Sequence, residues 1–367
     1  KNAALPLMAA AILAETPCTL HNVPCLHDVF SMDKLLSHMG MSIEFTGRYM
    51  TLDATGIAEP HAPYDLVRKM RASFFVLGPL LARFGRARVS LPGGCAIGTR
   101  PVDIHLKGLE AMGATIALDE GYVVAEGRLR GANFALDFPS VGATETLMMA
   151  ACRAEGLTRL TNVAREPEIE DLGRFLNGLG ARISGAGTDM ITIVGVDALG
   201  GAEHVVVSDR IEAGTFLAAG VATHGDVTVL NANADHLPSF LKKLREAGAE
   251  VEVTGGRIRA QAENGVRATD ITTHPFPGFA TDLQAQMMAL LTCAQGTSII
   301  RETVFENRFM HVPELIRMGA SIDLEGNTAI VRGVERLSGA PVMASDLRAS
   351  AALVIAGLMA ERGETAV

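Results

Sequence analysis

A glycine that recurs at intervals of 67 to 73 residues constrains the fold of this 367-residue chain more than any other feature. Each copy follows an amphipathic stretch and precedes an alternating one, as Gly248 does between 238–247 and 249–253. We interpret each as the glycine that ends a helix just before a strand. The copies are Gly40, Gly113, Gly180, Gly248 and Gly319. Such regularity indicates an internal repeat of about 70 residues.

A second set of glycines, at similar intervals, follows stretches that are apolar on nearly every side. Its members are Gly85, Gly156, Gly225, Gly296 and Gly363. The apolar stretches predict helices over 3–15, 146–155, 214–223, 283–295 and 349–362, of which all but the first end just before one of these glycines. Helices without a polar face are expected to be buried, whereas the helices of the first set keep a polar face. Each repeat is therefore predicted to hold one buried helix, one surface helix and about four strands. This makes an α/β protein of βαβαββ-type repeats.

Charge and hydropathy exclude several classes of partner. The formal net charge is -9 and no dense run of lysine and arginine occurs, which argues against a nucleic-acid or anionic-membrane surface. The longest apolar stretches, such as 349–360, are shorter than the roughly 20 residues of a membrane helix, so no membrane insertion is expected. An anionic ligand would have to be bound by a local cluster of cations.

The five cysteines are scattered and odd in number, without the spacing of a zinc site or a disulfide framework. This pattern favours a reducing cytoplasm. No motif indicates a metal or an organic cofactor, so we predict neither. Glycine-rich phosphate fingerprints of the GxGxxG or GxxxxGK[ST] kind are absent, which argues against nucleotide hydrolysis and dehydrogenase functions. Six repeats of about 70 residues would need roughly 410 residues, so a sixth repeat would stop early, at Val367. The chain also begins at Lys1 rather than at a methionine, so we expect it to be truncated at both ends.

One loop, residues 91–103, presents a cysteine as a reactive thiol would be presented. Cys95 lies among glycines and is followed by Arg100 and Asp103. Glycines let a backbone approach a ligand closely, and a nearby cation favours the thiolate. The alternative is an ordinary turn in which Cys95 is only a small residue.

With its flanks, this loop resembles the cysteine loop of the UDP-N-acetylglucosamine enolpyruvyl transferases, in the EPSP synthase family of enolpyruvyl transferases. Further stretches resemble motifs of that family in the same order along the chain: 1–6, 62–67, 165–168, 281–286, 305–311 and 346–350. The resemblance covers essentially the whole chain. It implies a two-domain inside-out α/β barrel with three repeats per domain and substrates in the cleft between. We expect a first domain over 1–207, carrying Cys95, and a second over 208–367 with two repeats and a truncated third.

The resemblance implies transfer of the enolpyruvyl group of phosphoenolpyruvate to the 3-hydroxyl of UDP-N-acetylglucosamine, the first committed step of peptidoglycan synthesis. This chemistry needs a proton donor, a base and cations. By resemblance, Cys95 is the general acid and the residue that fosfomycin alkylates, Asp282 is the general base, and Lys1 with Asn2 binds phosphoenolpyruvate. Two alternatives stay open: Asp282 caps the buried helix that follows it, and Lys1 is a solvated terminal charge.

The family motifs also imply a set of substrate-binding residues. Arginines from different repeats would converge on phosphate and carboxylate groups: Arg71, Arg100, Arg308 and Arg348. The uracil and ribose would lie against Arg100, Pro101, Val102, Asp103, Ile104 and His105. The diphosphate would contact Ser140, Val141 and Gly142, and the sugar would contact Val304. The alternatives are that each arginine is a surface residue and that His105 is a structural histidine.

Two other functions remain in view. The first is the related enzyme that transfers the same group to shikimate 3-phosphate, against which Cys95 and the motif from Arg100 to Asp103 argue. The second is a non-catalytic paralogue, since stacked repeats are stable without chemistry. Two departures from the family bear on activity: an arginine motif expected after Val367 is missing, and His27 stands where a lysine or arginine is frequent.

Overall fold

The structure is a computed structural model that describes residues 1–68, 70–92, 102–263 and 265–367. Within these residues the chain forms two units, one of 1–92 with 102–207 and one of 208–367. Each unit has its own buried apolar core.

The first unit alternates short strands with helices along its whole length. Its described strands are β1 (Cys18–His21), β2 (Ser42–Phe45), β3 (Tyr49–Asp53), β4 (His61–Ala62), β5 (Arg86–Ser90), β6 (Thr115–Asp119), β7 (Tyr122–Glu126), β8 (Asn133–Ala135), β9 (Leu157–Thr161), β10 (Arg182–Ser184), β11 (Met190–Val194) and β12 (Glu203–Val205). Its described helices are α1 (Ala4–Ala10), α2 (His27–His38), α3 (Tyr64–Val67), α4 (Leu77–Phe84), α5 (Asp103–Ala111), α6 (Val141–Ala151) and α7 (Pro167–Gly178). A 3-10 turn over Ala11–Leu13 extends α1, and another over Arg71–Val76 precedes α4.

The strands of this unit form sheets that share one plan. The strand orders are β12-β1-β3-β2, β4-β5-β7-β6 and β8-β9-β11-β10. In each sheet the first strand named pairs in parallel with the second, and the other pairs are antiparallel. The parallel edge strand always comes from a neighbouring repeat. Because β12 of the third repeat pairs with β1 of the first, with Thr19 opposite Glu203, the three repeats close into a ring.

The buried helices of the first unit lie against one another. Every residue of α1 is buried, and α6 is buried from Ala143 to its end. Helix α4 contacts α6 at Gly78, where an added Cβ would lie 2.4 Å from the carbonyl oxygen of Thr146. Helix α6 begins at Val141, five residues before the predicted start, because the Ser140 hydroxyl caps it by accepting a bond from the Ala143 amide at 3.4 Å.

The second unit repeats this organisation. Its described strands are β13 (Asp226–Leu230), β14 (Glu250–Thr254), β15 (Arg257–Gln261), β16 (Ile271–Thr272), β17 (Thr297–Arg301), β18 (Ser321–Glu325), β19 (Thr328–Arg332), β20 (Leu337–Ser338) and β21 (Ala360–Arg362), in the orders β13-β15-β14, β16-β17-β19-β18 and β20-β21. Its described helices are α8 (Arg210–Ala222), α9 (Pro238–Glu246), α10 (Gln284–Leu291), α11 (Val312–Arg317) and α12 (Leu347–Met359), with 3-10 turns over Ala234–His236 and Thr281–Leu283. Helices α8, α10 and α12 contact one another.

The glycines of the first set end surface helices, as predicted. Each has a positive φ, from 91° to 106°, immediately after the residue that ends a helix. Of the second set, Gly225 differs, because His224 before it takes the left-handed conformation at φ 52°. The predicted α/β fold of repeats is confirmed. No helix in the described ranges is long and apolar enough to span a membrane.

Candidate functional site

Asp282 lies between two arginines of the second unit. Its Oδ1 accepts a hydrogen bond from Arg308 Nη2 at 2.8 Å, and its Oδ2 accepts one from Arg348 Nη2 at 2.7 Å. Asp282 is the middle residue of the 3-10 turn Thr281–Leu283. Neither this turn nor α10 has a side-chain cap, so the alternative that Asp282 caps the buried helix is wrong.

The Arg308 side chain is buried and that of Arg348 is largely covered, which the surface interpretation did not anticipate. The side chain of Arg308 is 4% exposed and that of Arg348 is 14% exposed, against 26% for Asp282. Burial opposes the charge of Arg348, but the Asp282 carboxylate beside it raises its pKa. A carboxylate bound by two guanidinium groups, yet partly open to solvent, is an oriented acceptor for a polar substrate group.

Local contacts hold each arginine in place. The Arg308 guanidinium lies 5.5 Å from the ring centroid of Phe305. The Asp346 carboxylate caps α12 by accepting the amides of Arg348 at 2.8 Å and Ala349 at 3.2 Å, which fixes the first turn of that helix. The Asp-x-x-Ala-Ser spacing at 346–350 was a signal for this cap that the motif comparison did not use.

His311 lies beside the same cluster, at the start of α11, and is 1% exposed. Burial lowers the pKa of His311 to about 4, although the Asp346 carboxylate opposes this shift. The ring is therefore neutral near pH 7 and adds no positive charge beside Arg308.

Glu302 directly follows β17 and is 2% exposed. Its Oε1 accepts hydrogen bonds from the Thr273 hydroxyl at 2.8 Å, the Val304 amide at 2.8 Å and the Phe305 amide at 3.1 Å. Its Oε2 accepts one from the Thr281 hydroxyl at 2.9 Å. Sequence analysis missed Glu302, because a glutamate after a strand resembles an ordinary surface acid.

The predicted residues of the first unit cluster at the starts of its helices. Lys1 Nζ forms an ion pair with Asp28 of α2 at 2.7 Å and its side chain is 21% exposed, so Lys1 is more than a solvated terminal charge. Asn2 follows it and precedes α1. Arg71 begins the 3-10 turn before α4 and is half-buried. His27 is exposed at the first position of α2.

Helices α5 and α6 bring two of the predicted segments together. Val102 precedes α5, and Asp103, Ile104 and His105 form its first turn. His105 is buried, with its ring 5.6 Å from Phe74 in an edge-on arrangement. Ser140 caps α6, Val141 and Gly142 begin it, and a Cβ added to Gly142 would lie 3.2 Å from His105 Nε2. Glycine at this position therefore lets α6 approach the His105 ring. Cys95, Arg100 and Pro101 lie outside the described residues.

Comparison with known proteins shows which family the chain belongs to. A family model described as EPSP synthase (3-phosphoshikimate 1-carboxyvinyltransferase) matches residues 1–367. The chain belongs to the EPSP synthase family. Within the family it is 58% identical over 369 residues to the UDP-N-acetylglucosamine 1-carboxyvinyltransferase of Sorangium cellulosum (strain So ce56), covering 100% of this chain and 87% of that protein. The protein of the same name from Granulibacter bethesdensis (strain ATCC BAA-1260 / CGDNIH1) is 56% identical over 372 residues, with 100% and 88% covered.

Solved structures of an enolpyruvyl transferase and of an EPSP synthase have the same fold. The enolpyruvyl transferase NikO from Streptomyces tendae matches with a TM-score of 0.89 at 25% identity, covering 98% of this chain and 87% of NikO. EPSP synthase from Acinetobacter baumannii matches with a TM-score of 0.68 at 20% identity, covering 97% and 87%.

One cluster of acidic residues lies outside the predicted site. Glu145 of α6 is 1% exposed, and Glu166 and Glu168 beside it are also buried. Burial raises the pKa of Glu145 well above its usual range, and the neighbouring Glu168 adds to this effect. The described residues contain no group of three or more His, Cys, Asp or Glu side chains arranged to hold a metal.

Proposed function

We propose that this protein transfers the enolpyruvyl group of phosphoenolpyruvate to the 3-hydroxyl of UDP-N-acetylglucosamine and releases phosphate. The proposal rests on sequence identity: relatives with this activity in their name are 55–58% identical to this protein over essentially the whole chain. The site of the second unit supports it, because it offers a carboxylate held by two guanidinium groups. The reaction is the first committed step of peptidoglycan synthesis.

Asp282 acts as the general base in this proposal. A base must present an acceptor oxygen to the hydroxyl in a fixed direction. Arg308 and Arg348 each bind one carboxylate oxygen, which fixes the plane of the carboxylate. Its partial exposure leaves room for the sugar hydroxyl to approach.

Cys95 supplies the proton to the methylene carbon of phosphoenolpyruvate. Cationic residues bind the phosphate and carboxylate groups, and we assign this role to Lys1, Arg71, Arg100, Arg308 and Arg348, together with Asn2. The uridine end of the sugar nucleotide contacts Pro101 to His105 and Ser140 to Gly142, and Val304 contacts the sugar. We further propose that 1–207 and 208–367 are the two enolpyruvyl-transferase domains, and that the enzyme acts in the cytoplasm.

Transfer to shikimate 3-phosphate has less support. The EPSP synthases of Acinetobacter baumannii are 20% identical to this chain, whereas the named UDP-N-acetylglucosamine enzymes exceed 50%. A non-catalytic paralogue is also disfavoured, because a structural repeat has no need for two little-exposed arginines on one carboxylate.

The test is phosphate release from phosphoenolpyruvate with UDP-N-acetylglucosamine, with shikimate 3-phosphate, and with neither. We expect release only with the sugar nucleotide. Cys95→Ala should lose turnover, while Cys25→Ala, which removes an exposed free thiol of the first unit, should keep it. Release only with shikimate 3-phosphate would assign the related reaction instead. A folded protein that releases no phosphate with either acceptor would favour the non-catalytic paralogue.

A further inference from the structure

We propose that Glu302 is a positioning residue, which holds the segment carrying Asp282 and the segment carrying Arg308 at a fixed separation. The inference rests on the proposed function, in which Asp282 is the base. Glu302 does not touch the substrate in this proposal and acts through the two segments that it joins.

The carboxylate of Glu302 joins three separate segments of the second unit. Oε2 binds the hydroxyl of Thr281, the residue immediately before Asp282. Oε1 binds the amides of Val304 and Phe305, which lead to Arg308, and the hydroxyl of Thr273, in the segment after β16. Four donors therefore converge on one buried carboxylate, at 2.8 to 3.1 Å.

Packing alone does not require a carboxylate at position 302. No lysine, arginine or histidine among the described residues forms an ion pair with Glu302, so hydroxyl and amide donors satisfy its oxygens. Burying a carboxylate is costly, and an apolar side chain would fill the same volume without that cost. What an apolar side chain lacks is the ability to bind several donors from different segments at once.

The consequence for the site is geometric. The Asp282 and Arg308 segments are connected by a hydrogen bond between two side chains, and an arginine side chain has many rotatable bonds. Glu302 adds a second connection close to the backbone of both segments. A displacement of about 1 Å in a catalytic group can lower a rate by about 100-fold, so a fixed separation matters for a base.

Two substitutions at Glu302 separate its hydrogen-bonding role from its charge. Glu302→Gln keeps an amide oxygen for the Val304 and Phe305 amides and the Thr273 hydroxyl. Its NH₂ replaces Oε2, and the Thr281 hydroxyl can rotate to accept from it. Glu302→Ala leaves all four donors without this partner.

The test measures kcat and KM for both variants with phosphoenolpyruvate and UDP-N-acetylglucosamine. We expect Glu302→Ala to lower kcat by about 100-fold, with KM changed by less than about threefold, because misplacing the base slows the chemical step. Glu302→Gln should stay within about threefold of the wild-type kcat. Equal losses in the two variants, or a loss confined to KM, would overturn the proposal.

A matched pair of threonine variants isolates the connection to Asp282. Thr281→Val removes one threonine-to-glutamate hydrogen bond, and Thr269→Val removes another of the same kind, from the Thr269 hydroxyl to Glu246 at 3.1 Å, in the same unit. We expect Thr281→Val to lower kcat about tenfold and Thr269→Val to leave it unchanged. The same effect in both variants would refute a role through Asp282.

Hydrogen–deuterium exchange without substrate makes the test independent of the proposed reaction. In Glu302→Ala the Val304 and Phe305 amides should exchange at least about tenfold faster than in the wild type, since each loses its acceptor. Unchanged exchange would show that Glu302 does not hold this segment. If exchange rises but kcat does not fall, Glu302 is structural only. A wild-type enzyme inactive with UDP-N-acetylglucosamine would refute the proposed function while leaving the exchange result valid.

Discussion

Substituting Gly78 by alanine tests whether the close approach of α4 and α6 limits the stability of the first unit. The added Cβ would lie 2.4 Å from the Thr146 carbonyl oxygen and 3.1 Å from Thr146 Cγ2. Cβ atoms essentially never lie within 3.0 Å of another heavy atom in this way, and ordinary contact begins at 3.4 Å. The helices must therefore move apart by about 0.6 to 1 Å.

Two opposing effects set the size of the change. Alanine is favoured over glycine inside a helix by up to about 1 kcal/mol. Overpacking a buried contact costs about 1 to 3 kcal/mol, and the upper end applies here because the clash is with backbone rather than with the end of a flexible side chain. We therefore expect Gly78→Ala to lower the free energy of unfolding by about 2 kcal/mol.

Gly178 provides the matched control in the same unit. It is the last residue of α7, and its added Cβ would lie 3.4 Å from the Ala202 Cβ, an ordinary contact. Gly178→Ala should leave stability unchanged or raise it slightly, because the helical preference acts without a clash.

Urea unfolding followed by far-UV circular dichroism measures both variants against the wild type. With a slope of about 2 kcal/mol/M, the Gly78→Ala midpoint should fall by about 1 M, and the Gly178→Ala midpoint should not fall. A Gly78→Ala protein that unfolds at the wild-type urea concentration would refute the reasoning, since the helices would then separate without cost.

Three further predictions concern titratable groups in or near the two clusters described above. His311 has a pKa of about 4 in the folded protein and 6.5 in the unfolded chain, so the free energy of unfolding should fall by about 3 kcal/mol as pH falls from 6.5 to 4. His311→Asn should therefore make the urea midpoint depend less on pH over that range. Equal pH dependence in the variant and the wild type would contradict this. Burial raises the pKa of Glu145 in the folded protein, so the free energy of unfolding falls as pH rises above the pKa of this glutamate in the unfolded chain. Glu145→Gln should raise the midpoint at pH 8 more than at pH 5, and a uniform change would contradict this. Asp282→Asn leaves Arg308 and Arg348 without a carboxylate and should lower both turnover and, by about 3 kcal/mol, the free energy of unfolding; an unchanged urea midpoint would contradict the burial argument.

The repeat could be predicted from sequence because it depends on local rules. A glycine is needed where the chain takes a positive φ at a helix end, so its position marks the helix directly. At Gly225 the rule is weaker, because the preceding His224 adopts the left-handed conformation instead. Such a choice between neighbouring residues is not visible in the pattern.

The partners within the site could not be predicted in the same way. The motifs supplied Asp282, Arg308 and Arg348 as residue types, but which arginine binds which carboxylate oxygen depends on how the repeats pack. Glu302 was missed for the same reason, because its function depends on Thr273 and Thr281, which come from other segments. The predicted roles of the substrate-binding residues remain predictions.

The ring of repeats in the first unit cannot close until the ribosome has synthesised β12, its last strand. The Asn22 side chain donates to the Val206 carbonyl, 184 residues later, beside the pairing of β1 with β12. At about 5 to 20 residues per second, the ribosome needs roughly 10 to 40 s to supply the partner of β1. Throughout that time the outer edge of β1 stays open to pairing with other chains. Within the first unit, the sheet that is started first is therefore completed last. The edge of β1 is the part of the nascent chain that a chaperone would need to protect.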